Sequence, residues 1–82
     1  MTKEVIIIML SIFNTEHKGW EDQNTSLNYY ELFMDNSDEL PTDPYYFSTD
    51  KARFKIAQGS LAYDISTGTI YIMNSEGSWI QQ

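Results

Sequence analysis

His17 is the only histidine in the chain and the only side chain whose ordinary pKa suits it to act as a base near neutral pH. It stands between Glu16 and Lys18, and nucleophilic catalysis built on it requires a hydroxyl partner that the sequence does not single out. An exposed histidine without a catalytic task is the plainer reading. Carboxylates gather in Asp35-Asn36-Ser37-Asp38-Glu39, where side-chain oxygens at alternate positions suggest a calcium loop. That pattern stops at its sixth position, Leu40, where the EF-hand turn needs glycine, and at its twelfth, Tyr46, where it needs glutamate. Asp38 and Asp43 could pair as acid and base for glycoside cleavage, but such chemistry needs a cleft that so short a chain seldom forms. The absence of cysteine removes thiol nucleophiles, redox pairs, iron–sulfur clusters and thiolate zinc sites. The expectation is therefore a protein that is not an enzyme and holds neither metal nor cofactor.

Charge is the stronger signal. The chain has 12 acidic and 5 basic residues, a net charge of −7. Binding to nucleic acid or to an anionic membrane needs clustered lysine and arginine, so neither partner is expected. No basic residue lies between Lys18 and Lys51, whereas Glu21, Asp22, Glu31, Asp35, Asp38, Glu39, Asp43 and Asp50 do. Six of these, Glu21, Asp22, Asp35, Asp38, Glu39 and Asp43, are the candidates for a surface that meets a basic partner or imitates a nucleic-acid backbone. Lys51, Arg53 and Lys55 share one face if residues 51–56 are extended, with Ala52, Phe54 and Ile56 opposite. Three charges are too few for a nucleic-acid site. The many Tyr and Trp residues fill a core first, and only Trp20 and Trp79 suggest a sugar-binding platform.

These side chains must be positioned by a single domain spanning 1–82, because 82 residues leave no room for two. Residues 4–13 read as a strand: Val5, Ile6, Ile7 and Ile8 are β-branched and pack well on a pleated surface. The run is far shorter than the roughly 20 residues that span a bilayer, and Asn14-Thr15-Glu16-His17 is a poor cleavage site for a signal peptide. Both faces of that strand are apolar, which suits coverage on both sides and makes Val5, Ile6, Ile7, Ile8, Leu10, Ile12 and Phe13 candidate interface residues, with Trp79 added from the carboxyl-terminal end. Residues 14–58 read as loop-rich and acidic. Within them 14–26 is a loop that Trp20 could pin to the core, 35–44 is a turn-rich connection, and 27–34 fits either helix or strand, with its aromatics favouring strand. From Gly59 onward alternation is clear. Leu61, Tyr63 and Ile65 precede a Ser66-Thr67-Gly68 turn, Thr69–Met73 alternates again, Asn74-Ser75-Glu76-Gly77 turns, and Trp79-Ile80 begins a last strand. The fold expected is mainly β, a small antiparallel sheet with a carboxyl-terminal three-stranded meander over 59–82 and long acidic loops.

The stretch from Ala57 to Trp79 also resembles the endings of many small structural proteins of tailed-bacteriophage virions. The shared features are the Gly59-Ser60 opening, a hairpin carrying Thr67-Gly68, Tyr71 in the return strand, the Asn74 turn and Trp79 near the end. Asp38-Glu39-Leu40-Pro41-Thr42 is similar to the segment that often precedes such a hairpin. Head fibres, decoration proteins, neck components and tail accessories share this pattern. The resemblance implies a location in the virion, association with copies of the same chain and with a capsid or connector protein, and no catalytic residues. The rival expectation is a phage-encoded acidic inhibitor of a host protein, and a weaker one is a carbohydrate-binding module.

Overall fold

Alternation along Thr25–Met34 sorts its side chains into two sets, Ser26, Asn28, Tyr30, Leu32 and Met34 on one face and Thr25, Leu27, Tyr29, Glu31 and Phe33 on the other. From Tyr30 onward only the first set is buried: Tyr30, Leu32 and Met34 are 3%, 2% and 0% exposed, whereas Phe33 is 36% exposed. That strand organises the rest. In a computed structural model, which describes residues 10–82, six strands form one mixed sheet. They are β1 (Ser11–Asp22), β2 (Thr25–Met34), β3 (Arg53–Ile56), β4 (Leu61–Asp64), β5 (Thr69–Met73) and β6 (Trp79–Gln81), with a single 3-10 turn at Ser37–Glu39. The spatial order is β1-β2-β4-β5-β6, with β3 beside β2.

The meander expected from Gly59 onward is present as β4, β5 and β6, paired antiparallel through Tyr63↔Ile70 and Ile72↔Ile80. The 27–34 segment is a strand. Two expectations need correction. The loop assigned to 14–26 is instead most of β1, the Gln23-Asn24 turn and the start of β2, an antiparallel hairpin with Glu16↔Tyr29 and Trp20↔Ser26 in register. Its turn is held by Asp22, whose carboxylate accepts the Asn24 N–H at 2.8 Å and the Thr25 hydroxyl at 3.3 Å. Trp20 does not pin this segment to the core and remains 64% exposed. Secondly, the sheet is not wholly antiparallel, because β2 runs parallel to both β3 and β4. The cause is the connection 35–52, which returns the chain along the same edge of β2 in the same direction. The strand expected over 4–13 lies mostly outside the described residues, as do Val5, Ile6, Ile7 and Ile8.

β3 and β4 share that edge end to end. Thr25↔Arg53 gives an offset of 28 and Glu31↔Leu61 one of 30, so two extra residues lie between the pairings. The chain absorbs them at Ala57–Ser60, where Gly59 adopts φ 89°, a conformation costly for any residue with a Cβ. The insertion deprives Tyr30 N–H of a backbone acceptor, and the Ser60 hydroxyl replaces it at 3.0 Å. Ser60 O in turn accepts Met73 N–H at 2.9 Å, which ties the insertion to β5.

The connection 35–52 covers one face. Leu40 and Phe47 pack on the cluster of Tyr30, Leu32, Met34, Ile56, Ala62 and Met73, joined by Leu10, Tyr71 and Trp79. Phe47 stacks on Tyr30 with ring centroids 4.4 Å apart, and the Trp79 indole N–H donates to Pro41 O at 2.7 Å. A sheet with one lid has one core, and among the described residues the other face carries no such lid.

Candidate functional site

The uncovered face carries a row of apolar side chains running across the strands. Phe13 of β1 meets Phe33 of β2 edge-on at 5.2 Å, Phe33 meets Tyr63 of β4 at 5.8 Å and 86°, and Tyr63 is paired with Ile70 of β5. A second row follows as Leu61, Ile72 and Ile80 on β4, β5 and β6. Phe13, Phe33, Ile70 and Ile80 are 67%, 36%, 41% and 47% exposed. None of the strand residues of this face from Leu27 onward is fully buried, and among the described residues only Tyr45, against Arg53 and Lys55 at one end, packs over it. Isolated exposed hydrophobics are ordinary on a protein surface, whereas contiguous rows of them mark interaction surfaces.

Polar residues frame the rows. Asn14 Nδ2–H donates to Glu31 at 3.5 Å, the Tyr29 hydroxyl donates to Glu31 at 3.0 Å, and the Lys18 ammonium lies 5.8 Å from the Tyr29 ring centre and 3.3 Å from Glu16. At the β1–β2 turn end, Glu21 bridges Lys55 at 3.0 Å and accepts the Tyr45 hydroxyl, while Arg53 stands over the Tyr45 ring at 4.6 Å. Arg53 and Lys55 thus share a face of β3, whereas Lys51 precedes the strand in a turn where its N–H donates to Thr49 Oγ1. The hydrogen bond from Lys55 holds the Glu21 carboxyl below its ordinary value, and the same bond raises the Lys55 ammonium.

Neither outer edge of the sheet invites another strand. β1 is interrupted by irregularities between Ile12 and Asn14, between His17 and Gly19, and between Trp20 and Asp22, so its outer edge is bent out of a regular ladder. β6 is only 3 residues long. Bulges and short edge strands are the means by which sheets resist edge pairing, which leaves the face as the surface built for contact.

His17 does have a hydroxyl neighbour, one that sequence reasoning missed because the β1–β2 pairing was not foreseen. Its Nδ1 lies 2.8 Å from Ser26 Oγ. Ser26 donates to Asn28 Oδ1 at 2.7 Å, and Asn28 Nδ2–H donates to the Tyr30 hydroxyl at 3.3 Å. Ser26 Oγ and His17 Nδ1 share one hydrogen bond, and the imidazole tautomer decides which of the two donates. The chain of bonds serves to satisfy polar groups where β2 enters the core.

The six acidic candidates do not form one surface. Glu21 and Asp22 lie on β1 and are engaged as described, while Asp35, Asp38, Glu39 and Asp43 belong to the connection that covers the opposite face. Asn36 Oδ1 accepts Asp38 N–H at 2.9 Å and Asp43 Oδ1 accepts Tyr45 N–H at 2.9 Å, so Asn36 and Asp43 shape turns. Among the described residues no three of histidine, cysteine, aspartate and glutamate converge as metal ligands would. Of the interface candidates, Ile12 and Phe13 are exposed on β1, and Leu10 and Trp79 pack on the core.

Asp64 is the buried acid, 1% exposed at the end of β4, and its carboxylate accepts the Ser66 hydroxyl at 2.7 Å and the Ser66 N–H at 2.9 Å. These bonds, the hydroxyl first, hold its pKa below the ordinary 3.8. A carboxyl lowered in the folded state contributes stability that is present above its unfolded pKa and lost as pH falls through the folded value. Urea midpoints are therefore expected to be level from neutral pH to the onset of carboxylate protonation and to decline below the ordinary 3.8 of Asp64. Asp64→Asn should lower the midpoint at neutral pH and flatten that acid decline. Equal acid slopes in the two proteins would show that Asp64 contributes nothing to it.

Fold and site together define a mainly β protein whose sheet is lidded on one face and apolar on the other. No protein-family model matches the sequence, and neither the curated proteins nor the solved structures include a significant match.

Proposed function

We propose that this chain is a non-enzymatic structural protein of a tailed-bacteriophage virion, an accessory subunit of the head or head-proximal neck that associates with itself and with a capsid or connector protein. The observation that carries the reading is the uncovered row Phe13–Phe33–Tyr63–Ile70, a surface that a free-standing monomer has no reason to keep. The resemblance of Ala57–Trp79 to virion proteins supplies the setting. Purified chain should co-sediment with purified heads or necks of the phage that encodes it, and the bound amount should persist at about 0.5 M salt, where exposed charge pairs are screened. Failure to bind any virion particle would contradict the virion assignment.

The acidic residues of the connection favour a second reading, an inhibitor that occupies a basic groove of a host protein. Salt separates the two, since contact through Asp35, Asp38, Glu39 and Asp43 should weaken steeply as ionic strength rises.

A further inference from the structure

We infer that the uncovered face is occupied by the same face of a second copy, related by a two-fold axis that runs along β4. The inference rests on the assembly reading above and names its surface, its occupant and its symmetry.

Three observations select a second copy over a different partner. Charge is the first. The strands of this face place Lys18, Arg53 and Lys55 against Glu16, Glu21, Asp22 and Glu31, three basic groups against four acidic in a chain whose net charge is −7. The excess negative charge sits elsewhere, much of it on the connection over the opposite face. A cationic partner would be drawn to that acidic side, whereas a near-neutral face is what two equally charged copies can bring together.

Shape is the second. The apolar rows divide into an aromatic half, Phe13 and Phe33 on β1 and β2, and a β-branched half, Ile70, Ile72 and Ile80 on β5 and β6. β4 lies between them, the middle strand of the order β1-β2-β4-β5-β6. A two-fold axis parallel to β4 lays β2 over β5 and β1 over β6, so each aromatic half meets a β-branched half. Tyr63 and Leu61 then meet their own counterparts on the axis, as do Arg53 and Lys55 of β3, which continues the line of β4 and whose charges are offset by Asp22 and Glu21. A surface that carries both halves of a complementary contact is self-complementary in the sense that an isologous dimer requires. An axis across the strands would set ring against ring and isoleucine against isoleucine.

Area is the third. The exposed portions of these side chains amount to roughly 400 Å² of apolar surface, the size of the largest apolar patch on an ordinary monomer. A stable interface covers about 800 Å² per partner and is somewhat more than half apolar, so the rows supply the core. Asn14, Glu16, Lys18 and Glu31 supply a polar rim.

Phe33→Asp combined with Ile70→Asp should convert a dimer to a monomer in solution, raising its Kd at least about a hundredfold. Both positions lie on the face away from the core, so the far-ultraviolet circular dichroism and the Trp79 fluorescence should be unchanged. These spectra show that the variant is folded. A dimer whose mass ignores both substitutions would overturn the proposal, and so would a wild-type chain that is monomeric at about 100 μM. Because the chain has no cysteine, the axis can be tested by single-cysteine variants and a short bis-maleimide, packed sheets standing about 10 Å apart. A mixture of Phe33→Cys and Ile70→Cys chains should give the cross-linked heterodimer, neither alone should cross-link, and Leu61→Cys alone should. Cross-linking of Phe33→Cys to itself would overturn the axis. Virion particles that bind a wild-type monomer would overturn the second copy as occupant and leave the virion assignment standing.

Discussion

Replacing Leu32 with alanine is expected to cost about 3 kcal/mol of folding stability, and replacing its neighbour Phe33 with alanine less than about 1 kcal/mol. Leu32 is 2% exposed among Tyr30, Met34, Ile56, Ala62 and Met73, so its truncation removes transfer energy and leaves a cavity. Phe33 points the other way and loses only partial contacts with Phe13 and Tyr63. A chain of this length has on the order of 4–12 kcal/mol in all, so Leu32→Ala approaches the limit of a folded protein. Its melting temperature should fall on the order of 15 °C, since each kcal/mol is worth several degrees in a domain this small. Urea unfolding at dilutions where the chain is monomeric checks the pair. Equal losses at the two positions would show that both faces of β2 are covered in the folded monomer.

Ser60→Ala is expected to cost about 2 kcal/mol, more than a change of one hydroxyl ordinarily does, because it strands a buried backbone donor. Ser60 is 0% exposed, and its hydroxyl is the acceptor that the two-residue insertion between β3 and β4 leaves for Tyr30 N–H. Ser26→Ala is the matched comparison, a serine at 7% exposure whose hydroxyl bonds only side chains. It should cost less than half as much, measured by the urea midpoint at constant m-value. Faster hydrogen exchange at the Tyr30 amide in Ser60→Ala alone would locate the loss. If the two variants are equally stable, the serine does not bridge the insertion.

The parts of the fold legible in the sequence were those whose two faces differ in polarity or whose turns carry glycine. β4, β5 and β6 are separated by Thr67-Gly68 and by Asn74 to Gly77, and the alternation of Leu61 and Tyr63 with Ala62 and Asp64 places their side chains. β1 was illegible for the opposite reason. Nearly all of its 12 residues are exposed, so no apolar period marks Asn14 to Asp22, and its irregularities break whatever alternation is present. The pairing of β2 with β3 and β4 was hidden because a parallel crossover is usually announced by a helix. Here irregular chain and one short 3-10 turn serve instead. The site was half legible. Ile70-Tyr71-Ile72-Met73 is apolar on both faces, and only the sheet reveals that Tyr71 and Met73 fill the core while Ile70 and Ile72 are presented outward. Trp79 looked like an interface residue because it is large and near the end of the chain, yet its indole closes the lid through Pro41.

The central claim is that the uncovered face exists to be covered by a second copy of this chain. Light scattering of the unaltered protein at low and at about 0.5 M salt tests it most directly, because apolar burial survives the screening that dissolves charge contacts. A mass twice that of one chain at both salt concentrations is the predicted result, and a single-chain mass at both would contradict it.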